Sequence, residues 1–128
     1  MSNYKKFADL PNSSKEQKVV SSPLVLEINN AEQKKQLVAQ NKAVVIDIYG
    51  NFCGPCKMIA PQFVKLAETY KNIIFAKENV ELRISPEVQG VPYFQFYFNG
   101  QLVDKTVGAN MNEIQYKLNQ LQEYLKSS

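Results

Sequence analysis

The sequence predicts one α/β domain built on a central mixed β-sheet flanked by helices, and three observations predict it. Val44 to Tyr49 is a near-continuous apolar run, the mark of a central strand covered on both faces. Met58, Ile59, Phe63, Leu66, Ala67 and Tyr70 recur at helical spacing. Tyr93-Phe94-Gln95-Phe96-Tyr97-Phe98 is an aromatic strand closed by Asn99-Gly100, a strong hairpin turn. A chain of 128 residues with 45% hydrophobic content can bury one core without structural disulfides or metals.

In chain order, residues 1–22 are rich in Ser, Lys, Asn and Gln and carry no sustained period. They read as a flexible tail with a short helical turn around Tyr4 to Leu10, either a solvated extension or a partner-docking arm. Residues 23–128 read as the folded domain. Leu24 to Ile28 is the first strand, and Asn29 or Asn30 caps a helix over Ala31 to Gln40 that turns Leu37 and Val38 inward and its lysines outward. The central strand follows, interrupted only by Asp47.

The helix from Cys53 to Tyr70 contains Pro61, which removes a backbone hydrogen bond and is expected to bend the first turn away from the rest. Ile73 to Lys77 is the next strand. Between Asn79 and Gly90, Val80, Leu82 and Ile84 alternate, and Ser85-Pro86-Glu87 has the form of a cap and first turn of a short helix. Val91-Pro92 leads into the aromatic strand, whose rings read as core and whose hairpin partner is Leu102 to Val107. The last element is an amphipathic helix over Met111 to Leu125, with Ile114, Leu118, Leu121 and Leu125 on one face.

Cys53-Gly54-Pro55-Cys56 holds the only two cysteines of the chain. Two thiols separated by two residues at a strand-to-helix junction can close a small disulfide ring and open it again without moving the fold. Cys53 stands at the helix start, where unpaired N–H groups and the helix dipole favour a thiolate, so a lowered pKa and a reactive nucleophile are expected. Cys56, one turn further in, is placed to resolve a mixed disulfide formed at Cys53. Two other readings stay open on the spacing alone. Zinc needs four ligands, and with no histidine and no third cysteine it would require a partner chain or carboxylates. Inert packed cysteines are the other, although a Gly-Pro insert suits turn shape better than core filling.

Three further residues qualify as site candidates. A carboxylate at Asp47, flanked by isoleucines in a central strand, is costly unless neutral, paired or hydrated. Buried beneath the redox turn, it would have its pKa raised and could exchange a proton with Cys56; the alternative is a strand-edge Asp facing water. Lys77 reaches Asp47 if their strands pair, and is otherwise a solvated surface lysine. Pro92, next to Gly90 and Val91, is either a cis-proline that removes an N–H where a thiolate approaches or an ordinary trans-proline at a strand start.

The net charge of +3 does not suggest nucleic acid. The N-terminus lacks the apolar core of a secretory signal, and no stretch is long enough to span a bilayer, so a soluble, cytoplasmic protein is expected. In that reducing compartment a C-x-x-C pair is more often catalytic than structural.

The element order and CGPCKMIAP at 53–61 resemble the thioredoxin family, and so do Asp47, Lys77, Val91-Pro92, Asn99-Gly100 and Val107-Gly108-Ala109. The resemblance covers residues 24–125 and implies a thioredoxin fold. It also implies a protein-disulfide reductase that works through a reversible Cys53–Cys56 disulfide. In that scheme Cys53 attacks, Cys56 resolves, Asp47 transfers a proton, Lys77 supports it electrostatically and Pro92 is the cis-proline facing the disulfide. Phe52, Gly54, Pro55, Val91, Gly108 and Ala109 would line a shallow groove for an extended segment of the substrate.

The implied partners are disulfide-containing proteins and a thioredoxin reductase or comparable electron donor, acting on a monomer with no bound cofactor, no metal, no nucleic acid and no membrane. The implied roles are electron transport and redox homeostasis. Phe52 and Tyr49 stand where the family commonly carries tryptophan, and the segment from Lys77 to Pro92 is shorter than usual, which should trim or remove one helix beside the groove. Those departures motivate a second expectation, a thioredoxin-like adaptor or chaperone with incidental redox activity.

Overall fold

The aromatic hairpin and the apolar strand before the cysteines lie side by side at the centre of a sheet with strand order β1-β3-β2-β4-β5. The computed structural model describes residues 22–128, so the tail expected over 1–22, with its turn at Tyr4 to Leu10, lies outside the described residues apart from Ser22. The elements are β1 (Val25–Ile28), α1 (Ala31–Gln40), β2 (Ala43–Tyr49), α2 (Gly54–Thr69), β3 (Ile74–Asn79), β4 (Tyr93–Phe98), β5 (Gln101–Val107) and α3 (Met111–Ser127). β1, β3 and β2 run parallel, while β4 and β5 are antiparallel, which makes the sheet mixed as expected.

Side-chain alternation along the strands sorts the core into two layers. On one face Val45, Phe75, Phe94 and Phe96 meet Ile59, Phe63 and Leu66 of α2 and Ile114, Leu118 and Leu121 of α3. The Phe63 ring centre lies 5.0 Å from that of Phe75 and 5.7 Å from that of Phe94, tilted contacts that add to simple burial. On the opposite face Ile28, Val44, Ile46, Ile48, Ala76 and Tyr93 pack against Leu37 and Val38 of α1 and against Val80, Ile84, Val88 and Val91.

Local chemistry accounts for the boundaries. Asn30 caps α1, its side chain accepting from the Gln33 N–H at 2.8 Å. Asn99 and Gly100 both adopt positive φ, as a two-residue hairpin turn requires. The α2 stripe runs Cys56, Ile59, Phe63, Leu66 and Ala67, so Met58 falls off it and is 75% exposed rather than inward. Pro61 sits inside α2, which continues through it to Thr69.

The expected short helix at Ser85-Pro86-Glu87 does not form. The segment holds a 3-10 turn at Val80–Leu82 and, later, a single turn closed by Val88 N–H to Ser85 O at 3.1 Å. Ser85 is not free to cap a helix: its hydroxyl donates to Glu78 at 2.7 Å and accepts from the Lys34 ammonium at 2.6 Å. Lys34 also ion-pairs with Glu78 at 2.9 Å and donates to Gln95 at 2.8 Å. Glu78 and Gln95 are fully buried, so this cluster ties α1, β3, the 80–92 segment and β4 together on the α1 face.

Candidate active site

β2 leaves the sheet at Tyr49, and the chain turns through Gly50, Asn51 and Phe52 into α2 with Cys53 as the N-cap residue. The fold therefore puts the first cysteine at a helix N-terminus. The Cys56 N–H donates to Cys53 Sγ at 3.1 Å and the Lys57 N–H to the Cys53 carbonyl at 3.2 Å. The two sulfurs are joined as a disulfide across a Cα separation of 5.3 Å. Cys56 is buried and Cys53 half-buried, so only Cys53 is reached readily from solvent.

Gly50 explains how a second loop reaches this turn. A Cβ there would stand 3.3 Å from Val91 Cγ2, 3.8 Å from Cys53 Cβ and 3.8 Å from Val80 Cγ1. The bare glycine lets Val91 close against the redox turn. The Val91–Pro92 peptide bond is cis, and Pro92 is buried. The Pro92 carbonyl accepts from the Gly108 N–H at 2.8 Å, which joins the loop before β4 to the loop after β5. Phe52 projects 97% exposed, with Gly54, Pro55 and Ala109 also exposed and Val91 and Gly108 half-buried.

Asp47 faces the α2 side of the sheet, in phase with Val45, and is 5% exposed. Burial pushes its carboxyl up to about 7; Lys77 pulls the other way and Glu27 adds to the rise. Its Oδ1 has no hydrogen-bond partner among the described residues. Lys77 is the direct β3 neighbour of Asp47, and on its other side the same residue pairs in register with Glu27 of β1. The Lys77 ammonium lies 3.6 Å from Glu27, whose second oxygen accepts from the Tyr49 hydroxyl at 3.0 Å. Among the described residues no three His, Cys, Asp or Glu side chains gather as a metal site.

The thioredoxin family model matches residues 24–120, over the same strands and helices that carry this geometry. The chain belongs to the thioredoxin family. Human thioredoxin is 38% identical over 100 residues, a match covering 75% of this chain and 95% of the human one. Thioredoxin of Coprinus comatus is 40% identical over 93 residues, covering 68% and 88%. The oxidised form of mitochondrial thioredoxin 3 from Saccharomyces cerevisiae is similar in structure, with a TM-score of 0.73 at 33% identity over 75% of this chain and 94% of that one.

Membership of the thioredoxin family and a joined cysteine pair at the matching motif establish a thiol–disulfide oxidoreductase, a protein-disulfide reductase acting through Cys53 and Cys56. No helix among the described residues is long and apolar enough to cross a membrane. Two residues around this thioredoxin-type site, Gly50 and Glu27, and one on the opposite face of the sheet, Glu78, escaped the sequence reading. Gly50 carried a signal, a glycine between a buried strand and the redox turn. Glu27 and Glu78 carried none, because their meaning depends on which strand and which lysine lie beside them.

Proposed function

We propose that Cys53 is the attacking thiol and Cys56 the resolving thiol of a cycle that reduces disulfides of protein substrates. The observation that carries this reading is Cys53 Sγ at the α2 N-cap, facing the Cys56 N–H at 3.1 Å. An amide donor at a helix N-terminus favours negative charge on that sulfur. The Cys53 thiolate attacks one sulfur of the substrate disulfide, forming a Cys53–substrate bond and releasing the other sulfur as a thiolate. Cys56 then gives its proton to the Asp47 carboxylate and attacks Cys53 Sγ. The substrate leaves with both sulfurs reduced, and Cys53–Cys56 is left as the disulfide.

Lys77 supports the carboxylate electrostatically. Pro92 presents a surface without an N–H to the cysteines, and Phe52, Gly54, Pro55, Val91, Gly108 and Ala109 receive an extended substrate segment. Electrons return from a thioredoxin reductase or a comparable dithiol donor, so the domain at 23–128 works as an electron carrier. A monomer in the cytoplasm, with residues 1–22 as an appended tail, is the setting that agrees with this chemistry.

The test is reduction of insulin disulfides, driven first by dithiothreitol and then by a flavoenzyme thioredoxin reductase with NADPH. Turnover in both assays, lost in Cys53→Ser, is the expected result. Turnover that survives Cys53→Ser would remove the assigned nucleophile.

A further inference from the structure

We propose that Glu27 is a positioning residue of the redox site: braced by the Tyr49 hydroxyl, its carboxylate shares the Lys77 ammonium with Asp47 and so limits how far that cation compensates the buried acid. The inference deepens the proton-transfer reading of Asp47 and rests on it.

The geometry is a row running straight across the sheet. Glu27 of β1 pairs in register with Lys77 of β3, and Lys77 pairs in register with Asp47 of β2. All three share the face that carries α2, since Val25, Phe75 and Val45, two positions away on each strand, pack there. One cation thus stands between two carboxylates. Glu27 is the better placed of the two to keep it: its side chain is 26% exposed and receives the Tyr49 O–H at 3.0 Å, while the ammonium lies 3.6 Å away. Asp47 is nearly sealed and its Oδ1 lacks a hydrogen-bond partner among the described residues.

Among the described residues, the other elements around Asp47 add little charge. Its β4 partner is Phe94, and the first turn of α2 brings the two cysteines, which are joined. Tyr49 stays protonated at any ordinary pH, because burial first and then Glu27 drive its hydroxyl upward. Among the described residues the charged neighbours of Asp47 are therefore Lys77 and Glu27, and its rise toward neutrality comes from burial first, with Lys77 opposing it and Glu27 adding to it.

The experiment follows the Asp47 carboxyl directly, by carbon-13 NMR of aspartate side chains in the oxidised protein, with Asp47→Asn to assign the signal. Glu27→Gln removes one acid of the row and one competitor for the cation, so the Asp47 midpoint is expected to fall by about one pH unit. Glu27→Asp, which keeps the charge, returns the midpoint toward the wild-type value. Tyr49→Phe, which removes only the bracing hydroxyl, moves it down by less. A midpoint unmoved or raised in Glu27→Gln and in Tyr49→Phe overturns the inference. Failure of the underlying reading looks different: the rate at which Cys56 resolves a mixed disulfide would be the same in Asp47→Asn as in wild type, while Glu27→Gln still shifted the titration.

Discussion

The Cys56 amide points at Cys53 Sγ from 3.1 Å, a donor that in the reduced protein would favour a thiolate on the first cysteine. In the reduced protein Cys53 should therefore react with iodoacetamide at pH values well below about 8.5, where an ordinary thiol is still protonated. Cys56, buried one turn further in, should stay unmodified. Cys56→Ser should still attack a substrate but accumulate the mixed disulfide, visible as a trapped adduct on a non-reducing gel. Alkylation of both cysteines at equal rates would contradict the division between them.

Asp47 links the chemistry to stability. Its folded-state midpoint is raised from 3.8 to about 7, so between those values the native state holds a proton that the unfolded chain has released. Stability contributed by the neutral acid is present below pH 3.8 and is lost as pH rises toward about 7. The whole loss amounts to roughly 4 kcal/mol, at about 1.4 kcal/mol per pH unit of displacement. Asp47→Asn should flatten this slope. Urea denaturation of the oxidised protein should find the variant more stable than wild type at pH 8, with the gap narrowed by roughly 3 kcal/mol at pH 4.5.

On the opposite face of the sheet, Lys34 and Glu78 hold the short segment between β3 and β4. Glu78 is fully buried and Lys34 is its only ion-pair partner among the described residues, at 2.9 Å. Lys34→Met should cost roughly 3 to 5 kcal/mol, because it leaves a buried carboxylate uncompensated. Lys34→Met combined with Glu78→Leu should recover much of that loss, since no charge then stays buried. Denaturation midpoints of the two variants decide this; equal losses would mean that the cluster acts through packing rather than charge.

Gly50 is where shape, not chemistry, holds the site together. A methyl group there would meet Val91 Cγ2 at 3.3 Å, so Gly50→Ala should destabilise by about 1 kcal/mol and push the Val91 loop off the redox turn. Kinetics of insulin reduction should then register a higher KM with a smaller change in kcat. Gly54→Ala is the control for stability: its Cβ meets nothing within 4 Å, and its melting temperature should stay at or above that of wild type.

The strands and helices were legible wherever a short-range pattern carried them. Asn30 marked the start of α1, the Val44 to Tyr49 run marked the central strand, and Asn99-Gly100 marked the hairpin, each through backbone chemistry within a few residues. The sequence places the end of β3 at Lys77; the strand runs on to Asn79 because Glu78 and Asn79 pair with Ile48 and Tyr49 of β2, with Lys34 of α1 compensating the buried Glu78. Ser85 has the sequence form of a helix cap, but its partners lie on α1 and β3.

For the site, the sequence by itself determined the cysteine pair, the helix that begins on it and an acid inside a buried strand, because each is a matter of residue type and spacing. Only the tertiary structure decided that Val91 closes on Gly50, that Gly108 ties to Pro92, and that Glu27 and Asp47 stand on either side of Lys77. Those relationships depend on strand order and register, which join distant parts of the chain and leave no periodic trace in it.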